Sequence, residues 1–260
     1  AQQVARLDPP APDGEVIYTV ENPYKPTGGL RVLGGNLSPE FSAVLKLAGV
    51  EGGLEDNVFV GKARIFDSES DLLQSLENEP QIFGNHDMVI VRYEGPSGAP
   101  GMPEMLDSTS RITTLCREKN IIVGLMTDAR FSGGSVGLVI GHVGPEAALG
   151  GPIAFLEDGD EIVVDLNANE LNCTELSNGA TVAERKAAWQ KIVAANGGMH
   201  HSVGIANTRL LNRMRRSAVS AIYGAGMHPD RELWINEPRE PVKTTFIPTN
   251  KFRAASGKAF

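Results

Sequence analysis

The sequence predicts a strand-rich α/β fold, on three observations. Short apolar runs of strand length, MVIVRY (Met88–Tyr93) and IIVGLM (Ile121–Met126), flank a helical stretch. Past Ser132 the pieces GLVIGHV, PIAFLED, EIVVDL and ELNC all read as strands, so regular βαβ units are few and a Rossmann sheet is disfavoured. Two glycine-rich segments, EGPSGAPGMPEM (Glu94–Met105) and TDARFSGGS (Thr127–Ser135), follow directly on the two apolar runs.

In chain order, residues 1–14 read as a linker, because their Pro, Asp and Ala content cannot build a core. From Glu15 to Val50, apolar pieces alternate with glycine turns, as in short strands and tight loops. NVFVGKARIF (Asn57–Phe66) is a strand. DSESDLLQSLEN is a helix capped by Asp67 or Ser68, with Leu72, Leu73 and Leu76 on one face. Asp107–Lys119 is a helix with Ser and Thr near its start and Arg and Lys near its end, as the macrodipole favours. The turns Asp158–Asp160 and Asn167–Asn169 divide the last three strand pieces into hairpins. A second section begins near Asn178. Its first helix, Thr181–Asn196, opens with a capping box (Thr181 with Glu184) and stops at Gly-Gly. Its apolar stripe is Val182, Trp189, Ile192 and Val193, and needs a docking surface. Ile205–Gly226 reads as a second helix, and the proline-punctuated tail from His228 as extended.

The chain has 260 residues, 41% of them hydrophobic, enough to bury one sizeable core. Its 24 basic and 32 acidic residues give a net charge of −8. The only basic cluster, Arg213–Arg216, reads as a solvated helix face, so nucleic acid is a poor partner. No apolar run approaches the roughly 20 residues that span a bilayer, and the polar, Pro-rich start is no signal peptide. A cytoplasmic protein is expected, with Cys116 and Cys173 as reduced structural thiols. The chain opens on Ala1 without a Met, as a piece of something longer would.

Glycines just past a strand's end let backbone N–H groups approach a ligand. The two segments add a carboxylate, Glu104, and a hydroxyl, Ser132, the equipment for holding a metal and an anionic substrate. Read alone, Glu104 suits a solvated loop, Ser132 a turn or helix cap, and Asp128 with Arg130 a local ion pair. His142 reads as a hydrogen-bonded core histidine, and the adjacent His200 and His201 as solvated. There is no GxGxxG after a strand, no P-loop and no HExxH.

The segments YEGPSGAPGMPEM, TDARFSGGS and GHVGPEAALGGPIAFLEDGD, with ENPYKPTGGLRVLGGNL (Glu21–Leu37) before them, resemble the C-terminal half of the dihydroxy-acid and sugar-acid dehydratases. The likeness runs from Val16 to Cys173 and returns weakly near the C-terminus. It implies a swivelling β/β/α fold around a barrel-like sheet, with a helical C-terminal appendage from residue 178. It implies a hydro-lyase that turns a 2,3-dihydroxy acid, branched-chain or sugar acid, into a 2-oxo acid. Glu104 would ligate Mg²⁺ and Ser132 would take the C2 proton. Ser132, Gly133, Gly134 and Ser135 would bind the substrate, the last three through its carboxylate, at a possible helix start. The family's iron–sulfur cluster acts as Lewis acid on the leaving hydroxyl. Its three cysteine ligands, further Mg²⁺ ligands and a modified lysine belong to the N-terminal half, which nothing here matches. The chain alone is therefore expected to be inactive and iron-free. Its partners would be that other half and further copies, as dimer or tetramer. The rival readings are a stand-alone anion-binding or regulatory module and a separate small subunit of an aconitase-like isomerase.

Overall fold

The computed structural model describes residues 11–25, 28–46, 54–203 and 208–228. Eight strands form one sheet: β1 (Leu30–Leu33), β2 (Ala43–Lys46), β3 (Val58–Phe66), β4 (Asp87–Val91), β5 (Val123–Thr127), β6 (Val139–Gly141), β7 (Glu161–Asp165) and β8 (Glu170–Glu175). Their spatial order is β1-β2-β6-β5-β4-β3-β7-β8. The middle four, β3 to β6, are parallel, and the outer pairs are antiparallel. Every residue of β4 and β5 is buried, as a continuous apolar run between two covered faces should be.

The sheet curls until its ends meet. Just past β1, Gly34 bridges Glu170 of β8, and the amides of Leu171 and Leu37 donate to Gly34 O at 2.7 Å and Leu171 O at 3.2 Å. Gly35, at φ 107°, has to be glycine, since a Cβ there would lie 2.5 Å from Leu171 O. The result is a nearly closed barrel, which agrees with the strand-rich α/β expectation. Leu33, Leu45, Phe59, Met88, Ile90, Met126, Ile140 and Ile162 fill one core. Each such side chain contributes about 1.5–3 kcal/mol on burial. A second core, including Leu72, Leu76, Val89, Ile112, Leu115 and Leu125, lies between the sheet and helices α1 (Glu69–Asn78) and α2 (Leu106–Lys119).

Ser68, not Asp67, caps α1 through the Asp71 amide. The Ser and Thr residues at the start of α2 do not cap it; its N-cap is Met105, without a side-chain bond. PIAFLED is not a strand: Pro152–Phe155 is a 3-10 turn. Proline suits a first helical turn, and that turn leaves β7 and β8 as the one hairpin of this stretch.

Helix α3 (Val182–Ala195) has the expected capping box. The expected apolar stripe does not all dock: Val182 is 55% and Ile192 37% exposed. The residue of α3 that is buried is Arg185, bound to Asp160 at 2.6 Å. Trp189 docks partly, its Nε1 donating to Tyr93 Oη at 3.1 Å and its ring edge-on to Phe155. Helix α4 (Arg209–Ser217) is shorter than the sequence suggested, because the chain turns extended at Ala218 and enters a 3-10 turn at Ala221–Tyr223. Within the Arg213–Arg216 cluster, Arg215 is buried, not solvated. The linker up to residue 10 and the tail from residue 229 lie outside the described residues. No described helix is long and apolar enough to cross a membrane.

Candidate functional site

The glycine-rich segments leave the carboxyl ends of β4 and β5, two neighbouring parallel strands. That end of a parallel sheet is where open α/β folds place their ligands. The first loop folds tightly over Tyr93: a Cβ on Gly98 would lie 2.1 Å from Tyr93 O. From the far end of the chain, Arg215 Nε donates to Gly98 O at 3.0 Å. The loops are joined by a bridge between Glu104 and Arg130 and by the Met105 amide donating to Arg130 O at 3.1 Å.

Asp128 and Arg130 do not pair with each other, contrary to expectation. Arg130 Nη1 binds Glu104 Oε1 at 2.7 Å, and its Nε donates to Met102 O. Asp128 is 1% exposed and accepts the amides of Tyr93, Glu94 and Ala147 at 3.0–3.1 Å. Burial, helped by the neighbouring carboxyl of Glu146, pushes Asp128 up to about 7 against those amide bonds. Glu146, also buried, accepts the Ser97 amide and the Ser220 hydroxyl.

Ser132 precedes a turn, not a helix start; the Ser135 amide closes it on Ser132 O at 3.3 Å. No hydrogen bond engages the amides of Gly133 and Gly134 among the described residues. The space where their Cβ atoms would stand is empty to 4 Å, apart from Ser132 Oγ at 4.0 Å from that of Gly134. Ser135 Oγ is buried and has no partner among the described residues. A turn with idle amides, room beside them and an orphaned hydroxyl is built like an anion cradle. Beneath it lies a residue the sequence reading missed. Lys46, the last residue of β2, donates from Nζ to the carbonyls of Ser132, Gly133 and Ser135. The signal was there: a lysine closing an apolar strand.

Glu104 is a fit for one ligand of a hard divalent cation. It is half-exposed, its Oε1 is held by Arg130, and no hydrogen bond engages Oε2 among the described residues. The cysteines do not fit an iron–sulfur cluster. Cys116 sits in α2 and Cys173 in β8, and burial pushes both thiols up, Cys173 to about 11.

His142 is half-buried, at φ 56°, its pKa lowered by burial and by Arg130. His200 is not solvated. It is buried, stacked on Tyr93 at 4.7 Å and on His201 at 4.3 Å, and burial with its histidine neighbour lowers it to about 4. Donor atoms of Asp67, His200 and His201 lie within 4.8 Å of one another. Asp67 and His200 are already engaged, however. Asp67 Oδ1 accepts from Arg92 Nε at 2.5 Å and its Oδ2 from the Ser202 hydroxyl at 2.8 Å. His200 Nδ1 accepts the Ser202 amide, which leaves the proton of the neutral ring on Nε2. The stacking of His200 on Tyr93 and the hydrogen bond from Ser202 to Asp67 tie the turn after α3 to the barrel.

Fold and site together define a barrel-type α/β domain with two glycine-rich loops at the carboxyl ends of neighbouring parallel strands. Residues 15–225 match the family model described as dihydroxy-acid/6-phosphogluconate dehydratase C-terminal, and the chain belongs to that family. The chain is 44% identical over 192 residues to a protein named dihydroxy-acid dehydratase from Mycobacterium sp. (strain JLS), covering 74% of this chain and 31% of that protein. It is 44% identical over 192 residues to dihydroxy-acid dehydratase 1 of Nocardia farcinica, covering 74% and 32%. Against the dihydroxy-acid dehydratase of Agathobacter rectalis it is 48% identical over 178 residues, 68% and 30%. The chain thus spans about a third of the length of these curated relatives.

Proposed function

We propose that this chain is the part of a hydro-lyase that supplies its base and its carboxylate cradle. The whole enzyme removes water from a 2,3-dihydroxy acid and leaves a 2-oxo acid. The observation that carries the reading is the turn at Ser132–Ser135, with idle amides at Gly133 and Gly134 and an orphaned Ser135 hydroxyl. Those donors suit a substrate carboxylate, which holds C2 against the neighbouring Ser132 Oγ. Ser132 takes the C2 proton, the C2–H electron pair forms the C2=C3 bond, and the C3 hydroxyl leaves with its own pair. The resulting enol gains a proton at C3 and loses one from its C2 oxygen.

A serine hydroxyl is a weak base unless positive charge stands close. Mg²⁺, held partly by Glu104, supplies that charge when bound. The cysteines of this chain offer no site for the family's cluster, so its ligands belong to the other half of the enzyme. The isolated chain is accordingly iron-free and inactive. The relatives are named dihydroxy-acid dehydratases, and we take a branched-chain dihydroxy acid in preference to a sugar acid as the substrate. We assign the protein to the cytoplasm. The section from residue 178 serves as an appendage, and exposed Val182 and Ile192 suit contact with a second subunit of a dimer or tetramer.

The test is Ser132→Ala in the full-length protein, assayed with dihydroxyisovalerate and a panel of aldonic acids. Turnover should fall on the order of 10³-fold while the cluster absorbance stays unchanged. Near-normal turnover overturns the base assignment, and a preference for an aldonic acid overturns the substrate.

A further inference from the structure

We infer that Lys46 is the positioning residue that turns the Ser132–Ser135 loop into an anion cradle, an inference that rests on the function just proposed. Lys46 Nζ lies 2.8 Å from Ser132 O, 2.7 Å from Gly133 O and 3.2 Å from Ser135 O. An ammonium carries three donors, and here all three find backbone carbonyls of one short loop. No carboxylate forms an ion pair with Lys46 among the described residues. Among the described residues its hydrogen-bond partners are the loop's carbonyls.

Peptide planarity gives this arrangement its consequence. In a trans peptide the C=O of one residue and the N–H of the next point in opposite directions. Drawing Ser132 O and Gly133 O onto Lys46 therefore turns the Gly133 and Gly134 amides away from it. Those two amides lack an acceptor among the described residues, and open space stands where the glycines' Cβ atoms would be. The carbonyl cage and the amide cradle are two faces of the same peptide planes. Without the ammonium, three carbonyl dipoles converge on nothing, and the loop is free to rotate its peptides. Lys46 also brings a full positive charge to the underside of a loop meant to hold a carboxylate and to favour an ionised serine. The anchor is rigid because β2 pairs on both sides, Lys46 lying opposite Leu30 of β1 and Val139 of β6.

The test uses the full-length protein and four forms: wild type, Ser132→Ala, Lys46→Met and Lys46→Gln. Each is examined by thermal melting, by calorimetric titration with 2-oxoisovalerate as the anion probe, and by steady-state kinetics. Lys46→Met should bind the probe at least about tenfold more weakly, the loss of one charge-assisted hydrogen bond, and show a raised KM, with a melt close to wild type. Binding within twofold of wild type overturns the inference. If Lys46→Met does not fold, Lys46→Gln is judged by the same criterion. If neither folds, Lys46 serves the fold alone and the inference fails. Ser132→Ala separates this inference from its parent: it should keep probe affinity and lose turnover. An active Ser132→Ala beside a binding-deficient Lys46→Met would refute the base and leave the positioning role standing.

Discussion

Asp160 and Asp128 are both buried carboxylates, and the protein holds them in opposite ways. Asp160, before β7, receives Arg185 Nη1 and Nη2 at 2.6 and 3.0 Å, with the amides of Glu157 and Ser177 at 2.9 and 2.8 Å. Burial opposes its ionisation, but these donors outweigh burial and lower its pKa. Asp128, past β5, has three amides and, among the described residues, no cation, and burial pushes it up to about 7. The first region is electrostatically closed and anchors α3. The second is left near neutrality four residues before Ser132, at the joint between the two glycine-rich loops. A fully compensated charge belongs to architecture, whereas an under-compensated one marks where the fold has yielded to a site.

The largest effect should come from opening the closed region. Arg185→Met leaves Asp160 buried without its cation and should cost about 3–5 kcal/mol, read as a lower denaturant midpoint. A loss under about 1 kcal/mol would mean that the amides alone suffice for Asp160.

Asp128→Asn should cost less, about 1–3 kcal/mol, because an amide nitrogen must face one of three backbone donors. Its pH signature sharpens the comparison. Asp128 has a raised folded pKa, so its contribution to stability is full below the ordinary carboxylate range and is lost as pH rises through about 7. The gap in melting temperature between wild type and Asp128→Asn should therefore shrink from pH 5 to pH 8. Asp160, with a lowered pKa, contributes above the ordinary carboxylate range and loses its contribution as pH falls through it. A gap that stayed flat from pH 5 to pH 8 would show Asp128 to be ionised throughout.

Glu104→Gln removes one partner of a half-exposed pair and should change stability by less than about 1 kcal/mol. In the full-length protein it should nevertheless weaken Mg²⁺ binding, measured by titration, by about tenfold or more. Unchanged Mg²⁺ affinity would remove Glu104 from the ligand set. Smallest of all, Val182→Ser and Ile192→Ser together should leave the melt within about 0.5 kcal/mol of wild type. If these residues face a second subunit, light scattering should show a smaller particle.

Much of the barrel was legible in the sequence because its strands carry their own signals. β4 and β5 are apolar runs, β3 alternates between buried and more exposed residues, and Thr181 with Glu184 fixes the start of α3. PIAFLED misled because an apolar run of that length suits a strand or a buried turn equally, and Pro152 decides for the turn. The loops that hold Glu104 and Ser132 were legible as motifs, but their wiring was not. Lys46 acts on Ser132 across 86 residues, and Arg215 on Gly98 across 117. No local periodicity reports such pairings. The burial of Arg185 was illegible for a related reason: its guanidinium is held by Asp160, a partner that sequence spacing does not reveal.

The meeting of Gly34 with Glu170 bears on how this domain can join anything else. A sheet whose first and last strands are stitched together offers little bare backbone along its margins. Additional polypeptide therefore has scant opportunity to extend it by adding a ladder strand, the commonest accident by which sheet proteins clump. The remaining two thirds of a relative-sized protein would have to meet it through side chains and loop crests. Such a contact can slide or rotate without tearing a hydrogen-bonded ladder.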